Sequence, residues 1–304
     1  MGYHGIMKHW KYLTDLDEIS LIAPASSAPV DVFENTLELT KKDIKVSFHP
    51  KFNRTKLYFA QERDFQIQDF ISSLNSPSPV MWSLRGGYGS MRLIPELLKI
   101  KKPKITKCFI GFSDNTALHL FLNQKWNWPT LHGINYSSIP YHKKEYQELL
   151  KILRGEVKEK SFRLKPLNSA AKDLTHIEGV ITGGNLRIVQ SSLGTPWQIK
   201  TKGKILFLED VGERGYSIDR MFEQLYQAGI IGPEVKAIVL GAFTEGLEKN
   251  GKDMKDKAIK RWSQILPIPL YANLPCGHGT KNFTLPFNTP TLIKSSQLTI
   301  QFNN

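Results

Sequence analysis

The chain has 304 residues, with 41 lysine and arginine residues against 28 aspartate and glutamate residues, which gives a formal net charge of +13. Hydrophobic residues make up 40% and charged residues 23%, a composition that excludes an intrinsically disordered chain. The two cysteines are too few for a disulfide framework, and no apolar run approaches the roughly 18 residues that span a bilayer. The first twenty residues lack the apolar stretch of a signal peptide. The sequence therefore predicts a cytoplasmic protein with no membrane partner.

The excess of positive charge is compatible with more than one kind of protein. A nucleic-acid binder needs basic residues concentrated on one face, together with groups that contact bases. Here the lysines are spread along the chain, which favours a solvated surface and predicts no nucleic-acid partner. The same positive field would also attract an acidic small substrate.

The first half of the chain alternates short apolar runs with amphipathic segments, which is typical of a parallel α/β sheet. We therefore expect a Rossmann-like N-terminal domain over residues 1–150. Strands are predicted at 19–23, 46–48, 81–84 and 108–111, and helices at 65–74, 91–98 and 116–122.

A polar segment with few strand signals follows, and we expect residues 151–177 to connect the first domain to a C-terminal α/β domain at 178–304. An amphipathic helix is predicted from Ser217 and is expected to end at Gly229. Further strands are predicted at 179–182, 204–208 and 237–240. The predicted fold class is α/β with two domains.

The segment around Ser113 is the most informative local feature. A predicted strand turns into a predicted helix here, so the turn residue lies above the sheet edge, beside the free N–H groups of the helix start. A serine in this position has an exposed hydroxyl next to donors that can hold an oxyanion. The pattern departs from G-x-S-x-G because Asn115 replaces the second glycine. The alternative interpretation is that Ser113 or Asp114 only caps the helix.

A glycine-rich turn, Arg-Gly-Gly-Tyr-Gly-Ser at 85–90, follows the strand predicted at 81–84. Glycines allow the backbone to approach a ligand closely, but no P-loop or dinucleotide-binding pattern is present. The segment is either a plain tight turn or, if it lies next to Ser113, the source of a second oxyanion donor from Gly86 or Gly87.

A nucleophilic serine needs a base, and the base needs an orienting acid. Among the histidines, His278 is the best placed, because a glycine-flanked loop can present its imidazole to a cleft, and His132 is a weaker candidate. Glu209 follows a predicted strand at the end where ligands bind in open α/β sheets. Asp210 and Glu213 are its local rivals. Each of these residues alone can be structural, but a serine, a glutamate and a histidine at three such loops form a coherent set.

Two other chemistries fit the sequence less well. Cys276 lies two positions before His278, but neighbouring side chains on an extended loop point apart, which disfavours a Cys–His pair. No spacing of His, Cys, Asp or Glu typical of a metal site is present. The sequence therefore predicts neither a metal nor another cofactor.

Short motifs spread over nearly the whole chain carry a family resemblance. They are Ile-Ala-Pro-Ala-Ser at 22–26, Arg-Gly-Gly-Tyr-Gly at 85–89, Gly-Phe-Ser-Asp-Asn-Thr at 111–116, Gly-Gly-Asn-Leu at 183–186, Gly-Thr-Pro at 194–196, Leu-Phe-Leu-Glu-Asp-Val-Gly-Glu at 206–213, Gly-His-Gly at 277–279 and Asn-Phe-Thr-Leu-Pro at 282–286. In this order they resemble the LD-carboxypeptidase family of serine peptidases, which includes murein tetrapeptide carboxypeptidases and microcin C self-immunity proteins.

The resemblance implies a two-domain α/β protein, usually a homodimer, with a Ser-Glu-His triad divided between the domains. By motif match the nucleophile is Ser113, the acid is Glu209 and the base is His278. The oxyanion hole matches the backbone N–H of Asp114 and that of Gly86.

The implied reaction needs no cofactor and cleaves the bond between meso-diaminopimelate and the terminal D-Ala of murein tetrapeptide, in cytoplasmic cell-wall recycling. A carboxypeptidase also binds the terminal carboxylate of its peptide substrate. Arg85, Arg187 and Arg220 are the possible partners, and the sequence does not rank them. The chain departs from the family at Asn288, where a glycine is frequent, and this departure concerns the substrate and not the triad.

Two alternative functions stay open at this point. A microcin C-type immunity amidase would use the same triad to cleave a peptidyl-nucleotide toxin. A distinct long insertion would favour this alternative, and the sequence has none between Leu186 and Glu209. A non-catalytic module that binds nucleotides or nucleic acid is the more distant alternative, suggested by the positive charge and the glycine-rich turns.

Overall fold

The structure, a computed structural model, describes Leu13 and residues 18–302. Most of the first twenty residues, for which no signal peptide is predicted, lie outside the described residues. The described residues up to Lys158, together with Phe302, form an N-terminal unit, and Glu159–Gln301 form a C-terminal unit.

The N-terminal unit alternates strands and helices, as the sequence predicts. Its strands are β1 (Glu18–Ile22), β2 (Lys45–Ser47), β3 (Val80–Ser83), β4 (Cys108–Gly111) and β5 (Thr130–His132). Its helices are α1 (Val30–Thr40), α2 (Arg63–Asn75), α3 (Ile94–Leu97), α4 (Thr116–Lys125) and α5 (Lys143–Leu153), with 3-10 turns at Ser90–Leu93, Ser113–Asn115 and Tyr136–Tyr141.

These five strands pair in the order β5-β4-β3-β1-β2, and every one of these pairings is parallel. The chain moves outward from β1 to β2 and then returns to β3 on the other side of β1. The direction of winding therefore reverses between β1 and β3, and the C-terminal ends of these two strands form the place where open α/β sheets bind ligands. The strands β3, β4 and β5 are buried on both faces throughout their length, whereas the edge strand β2 is not.

The C-terminal unit is built around a mixed sheet. Its helices are α6 (Ser169–Asp173), α7 (Leu186–Ser191), α8 (Gly215–Gln227) and α9 (Lys255–Ile265). Its strands are β6 (Glu159–Arg163), β7 (Lys165–Pro166), β8 (His176–Asn185), β9 (Ile205–Val211), β10 (Ala237–Thr244), β11 (Leu270–Ala272), β12 (Leu285–Phe287), β13 (Pro290–Lys294) and β14 (Gln297–Gln301).

The main sheet of this unit runs β6-β14-β13-β8-β9-β10-β11-β7. Its centre, from β8 to β11, is parallel, and the flanking strands are antiparallel. Helix α8 buries the apolar stripe that its period predicts, and Gly229 follows it with a φ of 68°, the left-handed conformation expected there. The two-domain α/β architecture with parallel strands is thereby confirmed.

Two local features differ from the sequence-based expectation. The expected connecting segment, 151–177, instead completes α5 and supplies β6, β7, α6 and the start of β8, because a strand such as β6, which buries only Phe162, has no clear alternation in its sequence. The helix expected at 91–98 is divided into a 3-10 turn and α3, because Pro95 lacks an N–H and fits only the first turn of a helix.

Candidate active site

Ser113 lies in a sharp turn between β4 and α4. Phe112 is extended, with a φ of −151°, and Ser113 has a φ of 65°, a left-handed conformation that is uncommon for a residue with a side chain. Such strain persists only where the surrounding structure enforces it, and it clusters at functional sites. Asn115, which replaces the second glycine of the usual elbow pattern, packs against Gly111, where an added Cβ would lie 3.1 Å from the Asn115 Cβ. The strand–turn–helix arrangement expected around Ser113 is present.

The glycine-rich turn lies against the serine. A Cβ added to Gly86 would lie 2.8 Å from the Ser113 Cβ and 3.1 Å from its Oγ, so only a glycine fits there without displacing the serine. Within the described part of the chain, neither the N–H of Gly86 nor that of Asp114 donates a hydrogen bond to the protein. Two backbone donors near a serine hydroxyl, with no protein partner, are what an oxyanion site requires.

A hydrogen-bonded network joins the turn to the serine loop. The Asp114 carboxylate accepts a bond of 2.8 Å from the Ser90 N–H, and the Ser90 hydroxyl donates to the Asp114 carbonyl over 2.6 Å. The Asn115 amide donates to the Arg85 carbonyl over 3.3 Å. Burial raises the pKa of Asp114 to about 6, against the opposing effect of the Ser90 bonds. The sequence assigns no role to Ser90, although it is the last residue of the glycine-rich turn.

His119 hydrogen-bonds to the end of the strand before the serine turn and has a structural role. Its Nε2 donates to the Gly111 carbonyl over 2.8 Å, which leaves Nδ1 to accept from the Thr130 hydroxyl over 2.7 Å. Complete burial is the main reason why its pKa falls to about 3, so the ring is neutral at physiological pH. His132, the weaker candidate for a base, is also fully buried.

Glu209 and His278 form a close pair in the C-terminal unit. Glu209 lies on β9 and is completely buried, and its Oε2 is 2.7 Å from His278 Nδ1 and accepts the His278 backbone N–H over 3.2 Å. The imidazole itself is partly exposed, with 18% of the side chain accessible. The carboxylate holds Nδ1 and thereby orients the ring with Nε2 on the opposite side, as a catalytic histidine requires.

The backbone of the loop that carries the imidazole is held by close packing and by hydrogen bonds to two side chains. Gly277 has a φ of 100°, and a Cβ there would lie 2.5 Å from the Glu209 Oε2, so this position requires glycine. The Gly277 N–H donates to the Asn282 side chain over 2.9 Å, and the Thr244 hydroxyl donates to the His278 carbonyl over 2.8 Å. Asn282 belongs to a motif that the sequence offers only as family resemblance, and nothing local in the sequence indicates this contact.

The pKa of His278 is raised above its ordinary value. Burial alone lowers it, but the hydrogen bond and the charge of Glu209, with the charges of Asp210 and Glu245, outweigh the burial. The balance favours the imidazolium, which is the form that a general base must reach during acyl transfer.

The other acidic candidates are engaged elsewhere. Asp210 accepts the Asn185 amide over 2.8 Å and the Arg187 backbone N–H over 3.0 Å, so it anchors the start of α7. Burial, followed by the charge of Glu209, raises the pKa of Asp210 to about 6. Glu213 pairs with the Arg187 guanidinium. Of the three acids considered from the sequence, the structure places Glu209 against His278.

The three candidate arginines differ in their surroundings. Arg187 is bound to Glu213 and to the Ser217 hydroxyl. Arg220 lies 5.4 Å from the centre of the Tyr216 ring. Arg85 is exposed, and its Nη1 donates to the Ser27 carbonyl over 2.9 Å.

The remaining alternatives concern cysteine and metal chemistry. Cys276 is fully buried, and burial raises the pKa of its thiol well above the ordinary value, which disfavours a thiolate nucleophile. No group of three or more His, Cys, Asp or Glu side chains among the described residues is placed to hold a metal ion. In the same part of the chain, no helix is long and apolar enough to cross a membrane.

Related proteins share this fold and much of this sequence. A putative carboxypeptidase of Rickettsia conorii is 40% identical over 92% of this chain and 89% of its own length, and the murein tetrapeptide carboxypeptidase of Pseudomonas aeruginosa is 29% identical over 92% of this chain and 94% of its own. The crystal structure of muramoyltetrapeptide carboxypeptidase from Oxalobacter formigenes matches with a TM-score of 0.77 and 26% identity, over 94% of this chain and 99% of that one. The microcin C7 self-immunity protein MccF matches with a TM-score of 0.83 over 98% of this chain and all of that one, but at 22% identity, which shows likeness of fold alone.

Family models cover most of the chain in the same two parts. Residues 19–133 match the LD-carboxypeptidase N-terminal domain, which includes the Ser113 turn, and residues 178–293 match the LD-carboxypeptidase C-terminal domain, which includes Glu209 and His278. With both domains matched in order, this chain belongs to the LD-carboxypeptidase family.

Proposed function

We propose that this protein is a serine-type LD-carboxypeptidase that releases the terminal D-Ala of murein tetrapeptide. The observation that carries the proposal is the 2.7 Å contact between His278 Nδ1 and the buried Glu209 carboxylate, since an imidazole oriented in this way is the base of a serine triad. The strained turn at Ser113 supports the nucleophile assignment. The substrate is taken from the relatives in Pseudomonas aeruginosa and Oxalobacter formigenes, whose names state it.

The first half of the proposed reaction forms an acyl-enzyme. The Ser113 hydroxyl attacks the carbonyl carbon at the L-centre of meso-diaminopimelate while His278 accepts the hydroxyl proton. The N–H groups of Gly86 and Asp114 stabilise the oxyanion. His278 then gives its proton to the amine of D-Ala, which leaves as the C–N bond breaks.

The second half releases the tripeptide. A water molecule takes the place of D-Ala, His278 accepts a proton from it, and the resulting hydroxide attacks the ester carbonyl on Ser113. The bond between that carbonyl carbon and the Ser113 oxygen then breaks, and His278 returns the proton to the serine oxygen. Glu209 remains ionised throughout and stabilises the imidazolium in both halves. Apart from the substrate and this water molecule, each step uses side chains and backbone groups of this chain.

The discriminating experiment is incubation with murein tetrapeptide followed by mass analysis for loss of D-Ala. Ser113→Ala and His278→Ala are each expected to lower kcat by about 10⁴-fold or more, and the double variant by little more, because residues of one catalytic unit are strongly non-additive. His176→Ala is a matched control, since His176 also contacts a glutamate, Glu178, over 2.9 Å, but on the exposed surface. Simple addition of the two free-energy costs would show that Ser113 and His278 act independently and would contradict the triad.

The alternative substrate and the assembly are tested with the same preparation. A peptidyl-nucleotide amide is the substrate of the microcin-type alternative, and its cleavage in preference to murein tetrapeptide would contradict the proposed specificity.

We also propose a homodimer that acts in cytoplasmic cell-wall recycling. Light scattering of the purified chain measures the assembly directly, and a monomeric mass would contradict it.

A further inference from the structure

A cavity lies at the point in the N-terminal sheet where the direction of winding reverses. The loops that follow β1 and β3 line it together with Tyr58, and its volume is about 560 Å³. Open α/β sheets bind ligands in the crevice at this point. Its lining residues are Ser26, Ser27, Tyr58, Arg85, Gly87 and Tyr88.

The walls of the cavity are held in place by hydrogen bonds within the unit. The Ser26 hydroxyl donates to the Tyr58 carbonyl over 2.6 Å and accepts the Tyr88 N–H over 3.1 Å. Gly87 has a φ of 98°, and a Cβ there would lie 2.4 Å from the Ser26 Oγ, so this contact requires glycine. Leu57 has a φ of 61°, an outlier for a bulky side chain, in the turn that presents Tyr58. The cavity is therefore formed before any ligand arrives.

Arg85 gives the cavity its chemistry. Its guanidinium donates one bond, to the Ser27 carbonyl, and no carboxylate pairs with it in the part of the chain that the structure describes. The other N–H groups of the guanidinium are available to donate to the two oxygens of a carboxylate. Tyr58 and Tyr88, which are 64% and 45% exposed as whole residues, line the same cavity and add aromatic and hydroxyl groups to it.

Arg85 connects the cavity to the serine turn. Arg85 immediately precedes Gly86, whose backbone packs against Ser113, and its carbonyl accepts the Asn115 amide. In a carboxypeptidase substrate the terminal carboxylate belongs to the residue directly after the bond that is cut, about one residue spacing of 3.8 Å away. A partner for that carboxylate must therefore lie beside the nucleophile.

We propose that this cavity is the subsite for the C-terminal residue of the substrate, and that the Arg85 guanidinium binds its carboxylate between Tyr58 and Tyr88. The inference rests on the proposed function and adds the residue that restricts the enzyme to chain ends. Arg187 and Arg220 are less suited, because one is bound to Glu213 and the other is stacked near Tyr216. An internal peptide bond has no carboxylate at this distance, so Arg85 would be left without its ligand.

The test compares two substrates that differ only at the terminus, murein tetrapeptide and its C-terminal amide. We expect the wild-type protein to prefer the acid by about 100-fold in kcat/KM, the order of discrimination that a lost charge-assisted pair gives. Arg85→Gln should lower kcat/KM for the acid by a similar factor and leave the amide unchanged, so that the preference disappears. The kcat/KM of Arg85→Lys for the acid should lie between the values of the wild type and Arg85→Gln, since an ammonium cannot bind a carboxylate with two parallel bonds. Arg163→Gln, on the exposed edge of β6, is the matched control and should keep the wild-type preference.

The outcomes separate this inference from the proposed function. The rate of Ser113 labelling by a fluorophosphonate should be equal in Arg85→Gln and wild type, which shows that the serine turn is intact. An unchanged preference for the acid in Arg85→Gln would overturn the subsite while the proposed function stands, and loss of preference in Arg220→Gln instead would assign the role to that residue. If the wild-type protein cleaves neither substrate, the proposed function and the subsite fall together.

Discussion

Replacing Glu209 with glutamine separates the orienting role of the carboxylate from its charge. The glutamine oxygen can still accept from His278 Nδ1, and its size suits the tight contact with Gly277, so the fold and the ring orientation should survive. The change removes a charge-assisted hydrogen bond from a completely buried site. Such bonds contribute about 1.5–3 kcal/mol, and about 1.4 kcal/mol is tenfold in rate. The expected loss in kcat/KM is therefore about 10- to 150-fold, well below that of His278→Ala.

The pH profile of the same variant provides a second measurement. In the wild-type protein, burial lowers the pKa of His278 but Glu209 and its acidic neighbours outweigh it, so the acid limb of kcat/KM should lie above the ordinary histidine value. Without the Glu209 charge, the effect of burial on the pKa of His278 is opposed less strongly. The pKa should therefore fall, and the acid limb should move to lower pH. Glu178→Gln, beside the exposed His176, is the control and should change neither the plateau nor the limb. A Glu209→Gln protein with an unchanged acid limb would show that Glu209 does not act through His278.

Three further predictions concern the glycine beside the serine, the buried Asp69 and the effect of metal removal. Gly86→Ala keeps the backbone N–H but places a Cβ 2.8 Å from the Ser113 Cβ, so it should displace the serine from the oxyanion donors and lower kcat by about 10²- to 10³-fold, the size of effect that loss of one donor has. Gly232→Ala, with no atom within 4 Å, is its control, and equal activity of the two variants would contradict the role of Gly86. Asp69 has no hydrogen bond or ion pair among the described residues, and burial raises its pKa from 3.8 to about 7, so between pH 4 and 7 the native state binds more protons than the unfolded chain and loses stability as the pH rises. Asp69→Asn should therefore raise the free energy of unfolding by about 2–4 kcal/mol at pH 8 and hardly at pH 4, measured by urea denaturation, and an equal effect at both pH values would contradict it. EDTA should leave kcat unchanged, whereas a loss of turnover that zinc restores would contradict the serine mechanism.

The serine turn could be predicted because its signal is local. An apolar run that ends in Gly111 and is followed at once by a polar turn and an apolar helix indicates a strand–turn–helix unit without knowledge of the rest of the chain. The same holds for α8, whose buried side chains recur with the helical period and whose end is marked by Gly229. In both cases the residues that determine the structure are within a few positions of one another.

The features that could not be predicted depend on partners that are remote in the sequence. Strand β6 pairs with β14, and its residue Ser161 lies 138 positions from its hydrogen-bonding partner Thr299, so no local window contains the reason for the strand. The position of Gly86 against Ser113 is likewise a tertiary contact. For this reason the sequence left the glycine-rich turn open between a plain turn and an oxyanion donor, and it could not rank the three arginines.

The residues directly after the serine and the glutamate have a shared physical role. Asp114 follows Ser113 and accepts the Ser90 N–H, and Asp210 follows Glu209 and accepts the Arg187 N–H, so in each unit a buried carboxylate fixes a neighbouring backbone segment. Burial raises the pKa of both aspartates to about 6. Between pH 4 and 6 the native state therefore binds more protons at these sites than the unfolded chain does, and each ionised anchor lowers stability as the pH rises. An apolar side chain would avoid that cost but could not accept a backbone N–H. A buried aspartate beside the proposed nucleophile and another beside the proposed acid are what we expect where the position of a loop matters more to the protein than the last increment of stability.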